Sequence, residues 1–317
     1  MIDPFRDPVQ VPQFRSRFGG FWTDLNNAPD LIDGKVSLGL MNQEEAQLLR
    51  FFVENGYVIL RAAVGVDRID ELNRDIEKLS ENPPAEAWVN CIEDGHGVTR
   101  QMTPADKDEP DKMIKLLDLY SYLPSAREIV FAPRTMRLIK LIFERPVLAH
   151  QSLFFFKGSQ QPIHQDTAFV RVSSPMELVA SWTALEDIEP GSGELTYYPK
   201  SHQFPEFLFE GKYKWWPPGC DELGRYYEHL NECAAARNIP RTKFPARKGD
   251  VFIWSADFAH GGGEIDDPYK TRRSIAAHYC PINTYPMYLH YENSKEIIQA
   301  GDDIYYWSQK KEYWRSG

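Results

Sequence analysis

Residues 148–158 read LAHQSLFFFKG and residues 164–172 read HQDTAFVRV. Short runs of bulky apolar residues, closed by Gly or polar clusters, have the texture of strands. MELVASWTALED, GELTYYP, DVFIWSA and RRSIAAHYC continue the pattern, with PGSG at 190–193 and GGG at 261–263 as turns between them. Upstream the texture is helical. In MNQEEAQLLRFFVENGYVIL (41–60), Asn42 and Glu45 have capping-box spacing, and Ala46, Leu48, Leu49, Phe52 and Val53 mark one helical face. Gly56 ends that helix and a short strand begins at Tyr57. A second amphipathic helix is expected over about 67–81, stopped by Pro83-Pro84, and a third over about 125–144. The charged segment 85–125 gives no clear reading. Helices first and many short strands after predict an α+β fold, with a double-sheet β core carrying helices on its outside.

The chain has 317 residues and no linker that would divide it. The expected organisation is an N-terminal extension over 1–40, an arm laid over the domain, then a single domain over 41–317 with an insertion at about 203–246. A net charge of −10 argues against nucleic-acid binding, which needs a basic surface. No apolar run approaches a membrane span, and MIDPFRDPVQVPQFRSRF lacks the apolar segment of a secretory leader. Cys91, Cys220, Cys233 and Cys280 are scattered, without a CxxC pair. A cytoplasmic location is the resulting expectation.

The chemistry starts at His164 and Asp166. On a strand, residues two apart project from the same face, so an imidazole and a carboxylate could grip one ion. A lone His-x-Asp is more often a surface hydrogen-bonding pair, so a third ligand decides the matter. Of eight histidines (96, 150, 164, 202, 229, 260, 278 and 290), His260 stands out, because an apolar strand ends there before three glycines. Two histidines and a carboxylate on one side of an ion form the facial arrangement of non-haem Fe(II) oxygenases. Twelve and fourteen residues further on, Arg272 and Ser274 would share a strand face. A guanidinium beside a hydroxyl is a good receptor for the distal carboxylate of a keto acid. Arg273 belongs to the other face, so the register of this strand matters.

These motifs together resemble the phytanoyl-CoA dioxygenase-like branch of the Fe(II)/2-oxoglutarate-dependent oxygenases. The resemblance covers about 40–282: the ENGYVIL strand, His164-Gln165-Asp166, WTALEDIEPGSGELTYYPKSH at 182–202, and GDVFIW followed by His260, Arg272 and Ser274. It implies a double-stranded β-helix (jelly-roll, cupin-like) core, Fe(II) held by His164, Asp166 and His260, and 2-oxoglutarate anchored by Arg272. It also suggests Gln151, Lys157 and Trp182 as further co-substrate contacts. The family's usual Pro-Gly-Ser-His reads Pro199-Lys200-Ser201-His202 here, and His202 is expected to be a structural turn residue.

The expected activity is that of a dioxygenase using Fe(II), 2-oxoglutarate and O₂ to hydroxylate a C–H of a small molecule, releasing succinate and CO₂. Phe169 and Arg171, with Lys214, Trp215 and Trp216 of the insertion, are expected to line or cover the pocket. A small metabolite, amino-acid derivative or sugar-like compound is the expected substrate, and neither nucleic acid nor membrane is an expected partner. The rivals are a non-catalytic jelly-roll that binds a metal or ligand, a cupin-like oxygenase without a keto acid, and a zinc hydrolase. Neither of the first two needs a carboxylate receptor beside the metal. The third lacks an HExxH-like helix or a spare base near the three ligands.

Overall fold

The computed structural model describes residues 12–93, 96–109, 113–287 and 295–309. His290 and residues 110–112 of the charged run lie outside them. The described residues hold six α-helices: α1 (Ala28–Ser37), α2 (Gln43–Asn55), α3 (Val66–Glu81), α4 (Pro124–Val130), α5 (Pro133–Phe143) and α6 (Leu223–Ala236). The strands run β1 (Tyr57–Leu60), β2 (Trp88–Glu93), β3 (His96–Gln101), β4 (Lys115–Leu117), β5 (Val147–Phe155), β6 (Val179–Ala184) and β7 (Leu195–Tyr197). They continue as β8 (Thr242–Phe244), β9 (Val251–Ser255), β10 (His260–Gly262), β11 (Ser274–Pro281), β12 (Lys295–Gly301) and β13 (Ile304–Gln309).

Local chemistry explains several boundaries. The Asn42 side chain accepts from Glu45 N–H while the Glu45 carboxylate accepts from Asn42 N–H, each at 2.9 Å. Gly56 then closes α2 in the left-handed region, at φ 81°. The helix expected over 125–144 is two helices, because Pro133 cannot donate to a preceding turn and instead starts α5. Part of the expected N-terminal arm is helix α1, and its Ile32 is buried in the same core as Leu49 of α2 and Leu72 of α3. The unclear segment 85–125 holds three short strands of the main sheet.

That sheet has ten strands. Its main path is β1-β9-β6-β11-β5-β4-β2-β3, and β13 adds to β5 with β12 beyond it. Pairing is antiparallel except between β13 and β5. A second sheet, β10-β7-β8, has three strands of three residues each. The expectation of a closed double-stranded β-helix is therefore corrected. The fold is α+β, with two separate sheets flanked by helices and neither sheet closed into a barrel or jelly-roll. The physical reason lies in the turns: PGSG and the stretch around Ala256–Ala259 cut the small sheet's strands too short to extend a ladder into the large one.

Period-two alternation assigns the two faces of the large sheet. Phe154, Ile253, Ile275 and Ala277 face the helices and join the largest core. Phe155, Trp182, Phe252, Trp254 and Ala276 face the other way and pack with Leu195, Tyr197 and Phe244 of the small sheet. A cavity of about 320 Å³ opens beside this second layer.

Candidate metal centre and keto-acid pocket

His164 and His260 lie side by side because their backbones pair. His164 N–H donates to His260 O at 2.8 Å and His260 N–H donates to His164 O at 2.9 Å, an isolated antiparallel bridge. Asp166 is not on a strand, as the sequence argument supposed. It opens a short 3-10 turn, Asp166–Ala168, which brings its carboxylate back toward the two rings. Asp166 Oδ1 stands 3.9 Å from His164 Nε2 and 3.7 Å from His260 Nε2, and all three residues are buried. The three ligand atoms lie within 4.8 Å of one another, close enough to hold one ion.

The rings are set for it. His164 Nδ1 is 2.8 Å from Pro162 O and His260 Nδ1 is 3.0 Å from Phe258 O. A carbonyl only accepts, so each Nδ1 carries the proton and each Nε2 presents a lone pair. The Gln161 amide nitrogen lies 3.2 Å from His164 Nε2, as a donor to that lone pair would. Burial pushes His164 down to about 3, with the field of His260 adding to it, and burial likewise lowers His260. Burial alone would raise Asp166, yet the surrounding imidazoles (His260 first) hold its carboxyl well below the usual range. Near neutrality the set is two neutral imidazoles and a carboxylate, the form that binds a divalent metal.

Two residues that support Asp166 escaped the sequence reading. Trp254 Nε1–H donates to Asp166 Oδ2 at 2.8 Å, and its ring lies 4.4 Å from that of His260. His278 Nε2 lies 3.5 Å from the same oxygen, and its Nδ1 has no partner. Their separations of 88 and 112 residues from Asp166 are set by strand pairing, which no local motif encodes. Trp254→Phe keeps an aromatic ring at this place and deletes the donor. Metal affinity should fall about 10- to 100-fold with the fold retained, as isothermal titration with Fe(II) or Mn(II) would measure.

Arg272 faces the same cavity. It is 2% exposed, and its guanidinium carbon lies 5.4 Å from the Phe155 ring and 5.5 Å from the Trp182 ring. Its Nε and the nearby Trp182 Nε1 are both buried without a partner. Two orphaned donors beside a metal-ligating trio leave room for an acceptor, and a keto-acid carboxylate fits that need. Arg273 turns away: its guanidinium pairs with Glu77 and its N–H donates to Glu186. Ser274 is fully buried, but its hydroxyl donates to Arg272 O at 3.3 Å and it does not line the cavity.

Of the remaining candidates, Gln151 and Phe169 line the cavity, and Phe169 stands edge-on to the His164 ring. Lys157 does not reach it, because its ammonium donates to Pro268 O at 2.7 Å. Lys115 of β4 does, and its ammonium lies 3.4 Å from Gln161 Oε1. Burial and then the charge of Arg272 lower its pKa. It went unnoticed because β4 lies in the segment that gave no reading. Lys214 is buried against Asp257 at 2.6 Å and is absent from the cavity wall. Trp216 is part-exposed, with its Nε1–H donating to Cys220 O. Trp215 lies under Arg171.

The Pro199–His202 departure has a structural reading. Lys200 sits at φ 63°, the left-handed region where the family's glycine is at ease. Ser201 Oγ accepts from Ala259 N–H at 2.7 Å, beside His260, while His202 Nε2 is 3.1 Å from Val53 O on α2. His202 is thus a packing residue.

Comparison with known proteins agrees with this geometry. A family model described as "Phytanoyl-CoA dioxygenase (PhyH)" matches residues 52–272. Peroxisomal phytanoyl-CoA dioxygenase of Rattus norvegicus is 23% identical over 237 residues, covering 73% of this chain and 66% of that protein. The protein of the same name from Homo sapiens is 22% identical with the same coverage. The chain thus spans a little under two thirds of the length of these relatives. Among solved structures, the α-ketoglutarate-dependent epimerase SnoN from nogalamycin biosynthesis aligns at TM-score 0.57 and 16% identity, over 83% of this chain and 98% of that one. EctD from S. alaskensis with bound Fe aligns at TM-score 0.56 and 18% identity, over 87% and 89%. The curated relatives are all named as peroxisomal, which overturns the cytoplasmic expectation. That expectation rested on missing leaders and spans, whereas compartment addresses read by receptors need neither. No helix among the described residues is long and apolar enough to cross a membrane.

Proposed function

Since the chain belongs to the phytanoyl-CoA dioxygenase family, we propose that it is an Fe(II)- and 2-oxoglutarate-dependent dioxygenase that hydroxylates an unactivated C–H of a small molecule, with release of succinate and CO₂. One observation carries the reading: the metal-ligating trio and a buried arginine whose Nε has no partner share one cavity. Bound iron and O₂ would supply the C–H oxidation, coupled to decarboxylation of the keto acid. The chain's own residues do the rest. His164, Asp166 and His260 would hold the ion, a donor set that suits a non-haem iron centre. Arg272 takes the distal carboxylate, Trp182 lies against it and Gln151 lines the approach. The chemistry calls for no protein general base.

Residues 41–317 act as one oxygenase domain with 203–246 inserted, preceded by the extension 1–40. The relatives' name points to an acyl-CoA. A cavity of about 320 Å³, at the low end for ligand sites and shared between co-substrate and substrate, favours a small reacting group. Anaerobic addition of Fe(II) and then 2-oxoglutarate should give the weak visible charge-transfer band of a chelated keto acid, and His164→Ala should lose it. No band in the metal-loaded protein would favour a keto-acid-independent oxygenase or a binding protein.

A further inference from the structure

We propose that Arg171, stacked on Trp215, forms an anion-binding subsite that takes a carboxylate or phosphate group of the substrate; this deepens the oxygenase reading and rests on it. The guanidinium carbon lies over the Trp215 ring, 3.5 Å from its centroid. Its Nε and Nη1 are buried and have no hydrogen-bond partner. Other part-buried arginines here are paired: Arg100 with Asp106, Arg145 with Glu177, Arg273 with Glu77. Among the described residues, Arg171 and Arg272 alone have buried guanidinium nitrogens left without a partner. For Arg272 the unpartnered nitrogen fits the co-substrate carboxylate proposed above. For Arg171 the same feature calls for a second anion.

The space is there. A cavity of about 130 Å³ is lined by Thr167, Val170, Arg171, Ser173 and Trp215, with no carboxylate among its described lining residues. Val170 lines this cavity and the metal cavity alike, so the two share a wall. Val170 N–H donates to Asp166 O at 2.7 Å, which ties the subsite's position to a metal ligand. A substrate whose anionic group sits on Arg171 would be oriented relative to the ion from outside the main cavity. Burial lowers the guanidinium's pKa, consistent with a cation poorly compensated until an anion arrives.

The test uses the anaerobic protein loaded with Fe(II) and saturating 2-oxoglutarate, so that Arg272 is occupied. Inorganic phosphate is titrated in one arm and acetate in the other, with tryptophan emission as the readout. A saturable change is expected in at least one arm, and it should disappear in Trp215→Phe. Arg171→Gln should weaken the midpoint about tenfold or more, and Arg171→Lys should restore part of the loss. Saturation by phosphate alone assigns a phosphorylated substrate; saturation by acetate assigns a carboxylate. A silent wild type in both arms, or an Arg171→Gln protein that titrates like wild type, overturns the subsite. Should Arg171→Gln fail to fold, Arg171→Lys decides: an unshifted midpoint at an unchanged melting temperature overturns it equally. The keto-acid band, read in the same samples, reports separately on the oxygenase assignment. A band with no anion titration sinks only the subsite, and no band sinks the 2-oxoglutarate-dependent reading on which the subsite rests.

Discussion

Arg272→Met should make the ligand-free protein more stable while abolishing its response to 2-oxoglutarate. Arg272 is 2% exposed, its Nε lacks a partner, and it forms no ion pair with the described residues. Burial pushes its pKa down to about 10, although the fields of Glu194 and Glu186 work the other way. An uncompensated buried charge is costly, and an apolar side chain of similar length packed between Phe155 and Trp182 removes that cost. The gain should be about 1–3 kcal/mol in the absence of ligand. Ligand reverses the order. A bidentate charged pair lost from a buried site costs roughly 2–5 kcal/mol, so the 2-oxoglutarate dissociation constant should rise about 10²-fold or more. Thermal melts with and without 2-oxoglutarate check both halves. Wild type should start lower and climb with ligand, whereas the variant should start higher and stay put. A variant that melts lower without ligand would mean that Arg272 is compensated in the empty protein, contrary to the orphaned Nε.

The ligand trio was legible because two of its members sit in one short motif and the third precedes a glycine run that allows close approach. Even so, the reason first given for the motif was wrong. His164 and Asp166 do not converge as neighbours on a strand face; a bridge to His260 holds one and a 3-10 turn returns the other. The residue types survived the error because a metal constrains donors, not secondary structure. Arg272 over Arg273 was a question of register, and the ladder between β11 and β5, starting at Ser274 opposite Phe155, answers it. Trp254, His278 and Lys115 were illegible for a different reason. Each reaches the site from a strand whose neighbours are distant in sequence, and β3 and β4 are too exposed or too short to leave an alternating pattern. The helices were read well where caps wrote their ends. Closure of the β core was implied by the family resemblance alone, and strand texture, which suggested two sheets, says nothing about which strands pair.

Lys214 shows how charge in an insertion can mislead, and it carries the second large prediction. Beside Trp215 and Trp216 it was expected to line or cover the pocket, but its ammonium lies 2.6 Å from Asp257 Oδ2 and 3.4 Å from Glu206 Oε1, with 4% exposure. Thr167 Oγ1–H donates to the other Asp257 oxygen at 2.9 Å, Gln165 Nε2–H donates to Asp257 O at 2.7 Å, and Ser16 Oγ–H donates to Glu206. One ion pair thus joins the N-terminal segment, the insertion, the turn that bears Asp166 and the loop that leads to His260. Lys214→Met would leave the buried Asp257 carboxylate with the Thr167 hydroxyl as its one side-chain donor among the described residues. The loss should be about 3–5 kcal/mol, a large share of the roughly 5–15 kcal/mol that keeps a domain folded. Lys214→Met/Asp257→Leu should recover much of it, because replacing both partners removes the stranded charge as well as the attraction. Metal affinity separates stability from positioning. In protein that remains folded, either single or double variant should bind Fe(II) about tenfold more weakly, since the loops on both sides of the trio lose their common anchor. A double variant that regains both stability and metal affinity would confine the pair to holding the insertion down; one that regains stability alone would place Lys214 and Asp257 among the residues that set the metal geometry.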